Sequence, residues 1–158
     1  MKTSIQRTLM AAGFAIGTLA FGAGAALGHG DEFSAGEPGD PKKPARIVQV
    51  LMRDGDGKMV FIPDRLEVRK GDQVRFLLRN IGALDHEFLL ATEAENLKHA
   101  EEMKKNPDME HDEPNGKRVK SKGTAELVWR FTKAGVFEYG CLIPGHREGG
   151  MTGRITVK

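Results

Sequence analysis

Phe137-Glu138-Tyr139-Gly140-Cys141-Leu142-Ile143-Pro144-Gly145-His146-Arg147-Glu148-Gly149-Gly150-Met151 is the stretch on which the fold and chemistry of this chain turn. Alternation puts Phe137, Tyr139 and Cys141 on one face of a strand. Pro144-Gly145 marks a turn, His146 follows, and a glycine-rich turn leads to Met151 just before the final strand-like run. A loop between two neighbouring strands thus brings a thiolate, an imidazole and a thioether toward one point. That mixture suits copper cycling between Cu(I) and Cu(II): a thiolate and two imidazoles form a trigonal plane, and a long thioether contact lies on its axis. Strands and Pro144 hold such a plane; a flexible loop would not.

The plane needs a second imidazole. His86 is best placed, at the start of a strand directly after the Asn80–Asp85 turn. His99 falls on a helix, His111 in a polar loop and His29 near the N-terminus. Taken singly, Cys141, His146 and Met151 could be a buried thiol, a surface histidine and a core methionine. Taken together in an exported chain they read as ligands. Cys141 is the only cysteine, so no internal disulfide can form, and something must protect its thiol in an oxidising compartment.

Export is read from the N-terminus. Met1–Arg7 is short and positive, Thr8–Leu27 carries no charge, and small residues follow at Ala23, Ala25, Ala26 and Gly28. That is the plan of a secretory signal peptide over residues 1–28, preferred to a membrane anchor. The absence of a twin arginine points to the general secretion route and a periplasmic protein. Cleavage after Gly28 leaves 130 residues from His29, and cleavage after Ala25 or Ala26 is the alternative. Losing Lys2 and Arg7 leaves 22 basic residues against 22 acidic ones. Neutrality argues against nucleic acid or an anionic membrane surface as partner. One domain of modest core, a monomer, is expected.

Residues 29–45 are dense in Gly, Pro and charge and read as an irregular arm before a domain over 46–158. Strand signals follow at Ile47–Met52, Met59–Ile62, Leu66–Val68, Gln73–Arg79 and His86–Leu90, then at Thr124–Phe131, Val136–Cys141 and Gly153–Lys158. Asp54-Gly55-Asp56-Gly57 is a turn, and Pro63 suits an edge or bend. Thr92 with Glu95 forms a capping box. It opens a helix over about 92–106 with Leu97, Ala100 and Met103 as a narrow apolar stripe, stopped by Pro107. Asp108–Lys122 reads as a polar loop. The expectation is an all-β Greek-key sandwich with one helical insertion.

The Cys-x-x-Pro-Gly-His segment followed by Met151 resembles the ligand loop of cupredoxins, the blue type 1 copper proteins that include plastocyanins, azurins and auracyanins. The resemblance covers roughly Arg46–Lys158. It implies an eight-stranded sandwich with one copper at its end, held by His86, Cys141, His146 and, weakly, Met151. Within the family the chain looks closest to periplasmic copper-tolerance cupredoxins, which tend to start with His-Gly and carry His and Met in a helical insertion. His29, His99, Met103, Met109 and His111 are therefore candidates for secondary copper. Against that, Met103 continues the apolar stripe and fits a core role. One departure stands out: an Asn commonly follows the first ligand His in azurin-like members and ties the ligand segments together, and here Glu87 does.

Three strong ligands and a weak fourth leave little room for substrate, so no enzyme activity is expected. The first functional reading is a one-electron carrier meeting a transient redox partner such as a cytochrome or oxidase, with His146 as the port the resemblance implies. The second is copper tolerance through sequestration or oxidation of excess copper. A Cys–His thiol enzyme using Cys141 and His146 is a remote third. A dinuclear copper centre needs two cysteines, and multicopper oxidases need further histidine clusters.

Overall fold

The computed structural model describes residues 33–106 and 113–158. Ten strands and one helix are formed there: β1 (Glu37–Pro38), β2 (Arg46–Gly55), β3 (Lys58–Ile62), β4 (Arg65–Val68), β5 (Gln73–Asn80), β6 (His86–Ala91), α1 (Glu93–Lys105), β7 (Gly116–Val119), β8 (Thr124–Arg130), β9 (Gly135–Gly140) and β10 (Thr152–Val157). They build two five-stranded sheets, in the orders β1-β8-β5-β2-β3 and β4-β10-β9-β6-β7. The pairs β2–β5 and β4–β10 are parallel and the others antiparallel. This is the expected all-β sandwich with a short helix.

Period-two patterning decides which side chains enter it. Val74, Phe76 and Leu78 of β5 are buried, as are Phe137 and Tyr139 of β9 and Ile155 and Val157 of β10. Between the sheets Phe88 stacks on Tyr139 at 5.0 Å, and Phe61 meets both rings edge-on at 5.9 and 5.2 Å. Tyr139 donates its hydroxyl to the Pro63 carbonyl at 2.6 Å. Gly153 makes room for that ring, because a Cβ there would lie 2.1 Å from it. The aromatic cluster forms a rigid floor beneath one end of the sandwich.

Four details depart from expectation. Residues 33–45 are mostly irregular, yet β1 pairs with β8 and the buried Ala35 accepts from Trp129 Nε1. Within the expected polar loop, β7 pairs with β6, covering its outer edge. The strands number more than eight, because short edge strands at β1 and β7 complete the sheets. The capping box at Thr92 and Glu95 forms as anticipated, but the buried stripe of α1 is Asn96, Ala100 and Met103, while Leu97 is 45% exposed. Spacing of four and three residues puts those three on one face, and Asn96 Nδ2 there donates to Glu138 Oε1 at 3.1 Å.

Candidate metal centre

Three segments converge at one end of the sandwich. β6 opens on His86, and the chain leaves β9 directly into Cys141. The return to β10 is fixed at the far side of the loop: Cys141 N–H donates to Met151 O at 3.1 Å, and Met151 N–H donates to His146 O at 3.1 Å. Between them His146 N–H closes back on Ile143 O at 3.0 Å. With Pro144 second and Gly145 third at φ +87°, this is a type II turn, whose third residue needs the left-handed region that glycine enters freely.

The loop is also held from outside. Arg147 Nη2 donates to Glu138 Oε2 at 2.8 Å and lies 3.5 Å from Glu93 Oε1. Lys104 of α1 pairs with Glu148 at 3.2 Å. Met59 N–H of β3 donates to Gly149 O at 3.2 Å. Helix, ligand strand and a hairpin of the opposite sheet thus brace one short segment.

Inside this frame, one ligand atom each from His86, Cys141 and His146 lies within 4.8 Å of the others. His86 Nδ1 is 3.2 Å from His146 Nδ1, which is 3.3 Å from Cys141 Sγ. Among the described residues this is the one group of three His, Cys or acidic side chains able to hold an ion. Met151 is fully buried in the adjoining core. A thiol and two imidazole nitrogens converging on one point fit copper in both oxidation states.

Burial sets the electrostatics. It pushes the Cys141 thiol up to about 12, against opposing N–H groups of Glu87 and Ile143. Without metal the sulfur therefore stays protonated at neutral pH; a bound cation would displace that proton. Burial, followed by the neighbouring His86, lowers the affinity of His146 for a proton. The Glu87 backbone N–H reaches Cys141 Sγ at 3.3 Å, so the main chain itself ties the two ligand segments where a side-chain amide was missed. The buried Glu87 carboxylate turns instead toward Arg118, at 3.9 Å.

Asp54 was not anticipated as part of the site. Its Oδ1 lies 2.9 Å from His86 Nε2. Desolvation would raise its carboxyl, but the N–H of Ala83, the His86 ring and the N–H of Leu84 hold it down to about 2. In sequence, an Asp before Gly-Asp-Gly signals only a turn.

The secondary candidates do not join this cluster. His99 stands on α1, 3.9 Å from Glu102. Met103 is fully buried against Leu89, Ala100 and Leu142. His29, Met109 and His111 lie outside the described residues.

Residues 48–158 match the family of copper binding proteins described as plastocyanin/azurin. The copper-resistant cuproprotein CopI of Rubrivivax gelatinosus is 46% identical over 130 residues, covering 82% of this chain and 77% of that protein. Its namesake in Pseudomonas aeruginosa is 34% identical, covering 97% and 98%. Auracyanin B superposes with a TM-score of 0.62 at 22% identity, over 78% of this chain and 96% of its own, which bears on fold alone.

Proposed function

The chain belongs to the plastocyanin/azurin family of copper-binding proteins, and we propose that His86, Cys141 and His146 would hold one copper, with Met151 as a weaker thioether donor, for one-electron exchange. The convergence of the three ligand atoms within 4.8 Å carries this reading. Bound copper supplies a one-electron couple between Cu(I) and Cu(II). The protein's part is to fix the donors in advance. The Cys141–Met151 backbone pairing and the aromatic floor keep the ligand atoms from moving, so little rearrangement opposes electron transfer. Burial of His86 and Cys141 shuts water out, and His146, at 8% exposure against 0% for the other two, offers the way in for an electron. A transient redox protein meeting the His146 end fits that geometry. A buried thiol held near 12 opposes nucleophilic catalysis, which weighs against a Cys–His thiol enzyme and favours a non-enzymatic role.

The names of the relatives favour a specific use for that chemistry. Two copper-resistant cuproproteins at 46% and 34% identity support a role in copper tolerance, with the mature protein in the periplasm binding surplus copper or taking an electron from Cu(I). The decisive experiment is copper stoichiometry with a visible spectrum on wild type and Cys141→Ser. One copper with intense thiolate charge-transfer bands, lost in the variant, is expected; copper-loaded wild type without them would sink the proposal. Copper sensitivity on gene deletion, with copper-induced expression, separates tolerance from general electron carriage, which predicts fast reduction of a cytochrome and no such sensitivity.

A further inference from the structure

Asp54 sits on β2, in the sheet opposite the one that carries His86, and the turn between β5 and β6 is built around its carboxylate. Asp54 Oδ2 accepts from Ala83 N–H at 3.0 Å, and Oδ1 accepts from Leu84 N–H at 3.2 Å. Ile81 N–H donates to Met52 O at 2.9 Å, fastening the same turn to β2. Gly82 is required for the approach: a Cβ there would fall 1.7 Å from Asp54 Oδ1 and 3.0 Å from the Asp54 backbone nitrogen. Asn80 shapes the turn from within, accepting from Gly82 N–H at 2.9 Å and donating to Leu84 O at 2.7 Å. Two backbone segments, β2 and the turn between β5 and β6, therefore aim one carboxylate at one ring nitrogen, His86 Nε2, at 2.9 Å.

We propose that Asp54 is a positioning residue for the copper: it fixes His86 with Nδ1 turned to the metal, and its charge, one imidazole away, favours Cu(II) over Cu(I). The proposal rests on the ligand set given above. A neutral imidazole carries one proton, and an ionised carboxylate at Nε2 can only accept it, which leaves the Nδ1 lone pair for the metal. A carboxylate behind a ligating histidine orients the ring and strengthens it as a donor. A fixed negative charge also attracts the doubly charged ion more than the singly charged one.

Two measurements test it. In copper-free wild type, ¹⁵N NMR of His86 should show Nε2 protonated and Nδ1 bare. In copper-loaded Asp54→Asn, redox titration should show Cu(I) favoured about tenfold more than in wild type, an upward shift of ~59 mV for a one-electron couple, with the charge-transfer band retained. Gly82→Ala, which must displace the carboxylate, should shift the potential the same way, and it decides the matter if Asp54→Asn does not fold. A proton on Nδ1 in wild type, or a folded variant whose potential stays within twofold, overturns the proposal. Wild type lacking the charge-transfer band would overturn the ligand set itself; a band present with an unmoved potential sinks only the role of Asp54.

Discussion

At the end of the sandwich and along α1 the chain carries the same kinds of copper-binding side chain. His86, Cys141 and His146 come from separate segments and meet. His99 and Met103 stand one helical turn apart, a spacing that places two side chains on one face. Yet Met103 is packed among Leu89, Ala100 and Leu142, while His99 lies beside Glu102. The difference teaches that residue type and spacing do not make a centre. At the sandwich end each ligand's backbone is pinned by bonds unrelated to metal, and the donor atoms face one another. On the helix the sulfur is already committed to the core.

The strongest way to break this contrast is through copper itself. Cys141→Ser should lose the charge-transfer band entirely, whereas Met103→Leu, a volume-conserving change, should leave band and stoichiometry intact. Copper lost from the Met103 variant would erase the distinction between the two regions. Next in size is the floor under the site. Phe88→Ala removes a fully buried ring stacked on Tyr139 and should cost about 3–5 kcal/mol in urea unfolding of the copper-free protein. Leu97→Ala, on the exposed side of α1, should cost under about 0.5 kcal/mol.

Copper loading should then raise the melting temperature of wild type and of His99→Ala alike, with a gain of about 2.7 kcal/mol when free copper is a hundred times its dissociation constant. Calorimetry on Cys141→Ser should show most of that gain gone. The helix cap carries a smaller effect than copper. Thr92→Ala should cost about 1 kcal/mol without touching the spectrum. Burial would raise the Glu95 carboxyl, but hydrogen bonds from Ser34 and Thr92 bring it below its usual value. A depressed folded-state value gives stability that is present above the unfolded carboxyl's ~4.3 and is lost as pH falls through the folded value. Glu95→Gln should accordingly flatten the acid limb of a stability–pH curve.

Local features of the chain explain which parts could be read in advance. The loop from Cys141 to Met151 was legible because both ends abut strands and the turn chemistry of Pro144-Gly145 is local. His86 was legible because a turn precedes it. The helix start was legible from Thr92 and Glu95, but not its buried face, since Asn96 is buried through a partner on β9 that no local pattern reveals. The strand β7, Gly116-Lys117-Arg118-Val119, is too charged and short to signal a strand; it exists because β6 offers it an edge. Asp54 meets His86 across 32 positions of sequence and between two sheets, and a turn-forming dipeptide hides that encounter completely.

The bond from Asp54 to His86 reaches from one sheet to the other at the sandwich's open end. His86 in turn faces His146 and Cys141, so an ion seated among them would be stitched through histidine into both layers. Copper would then act on this protein as a rivet acts on two plates, slowing the separation that begins unfolding.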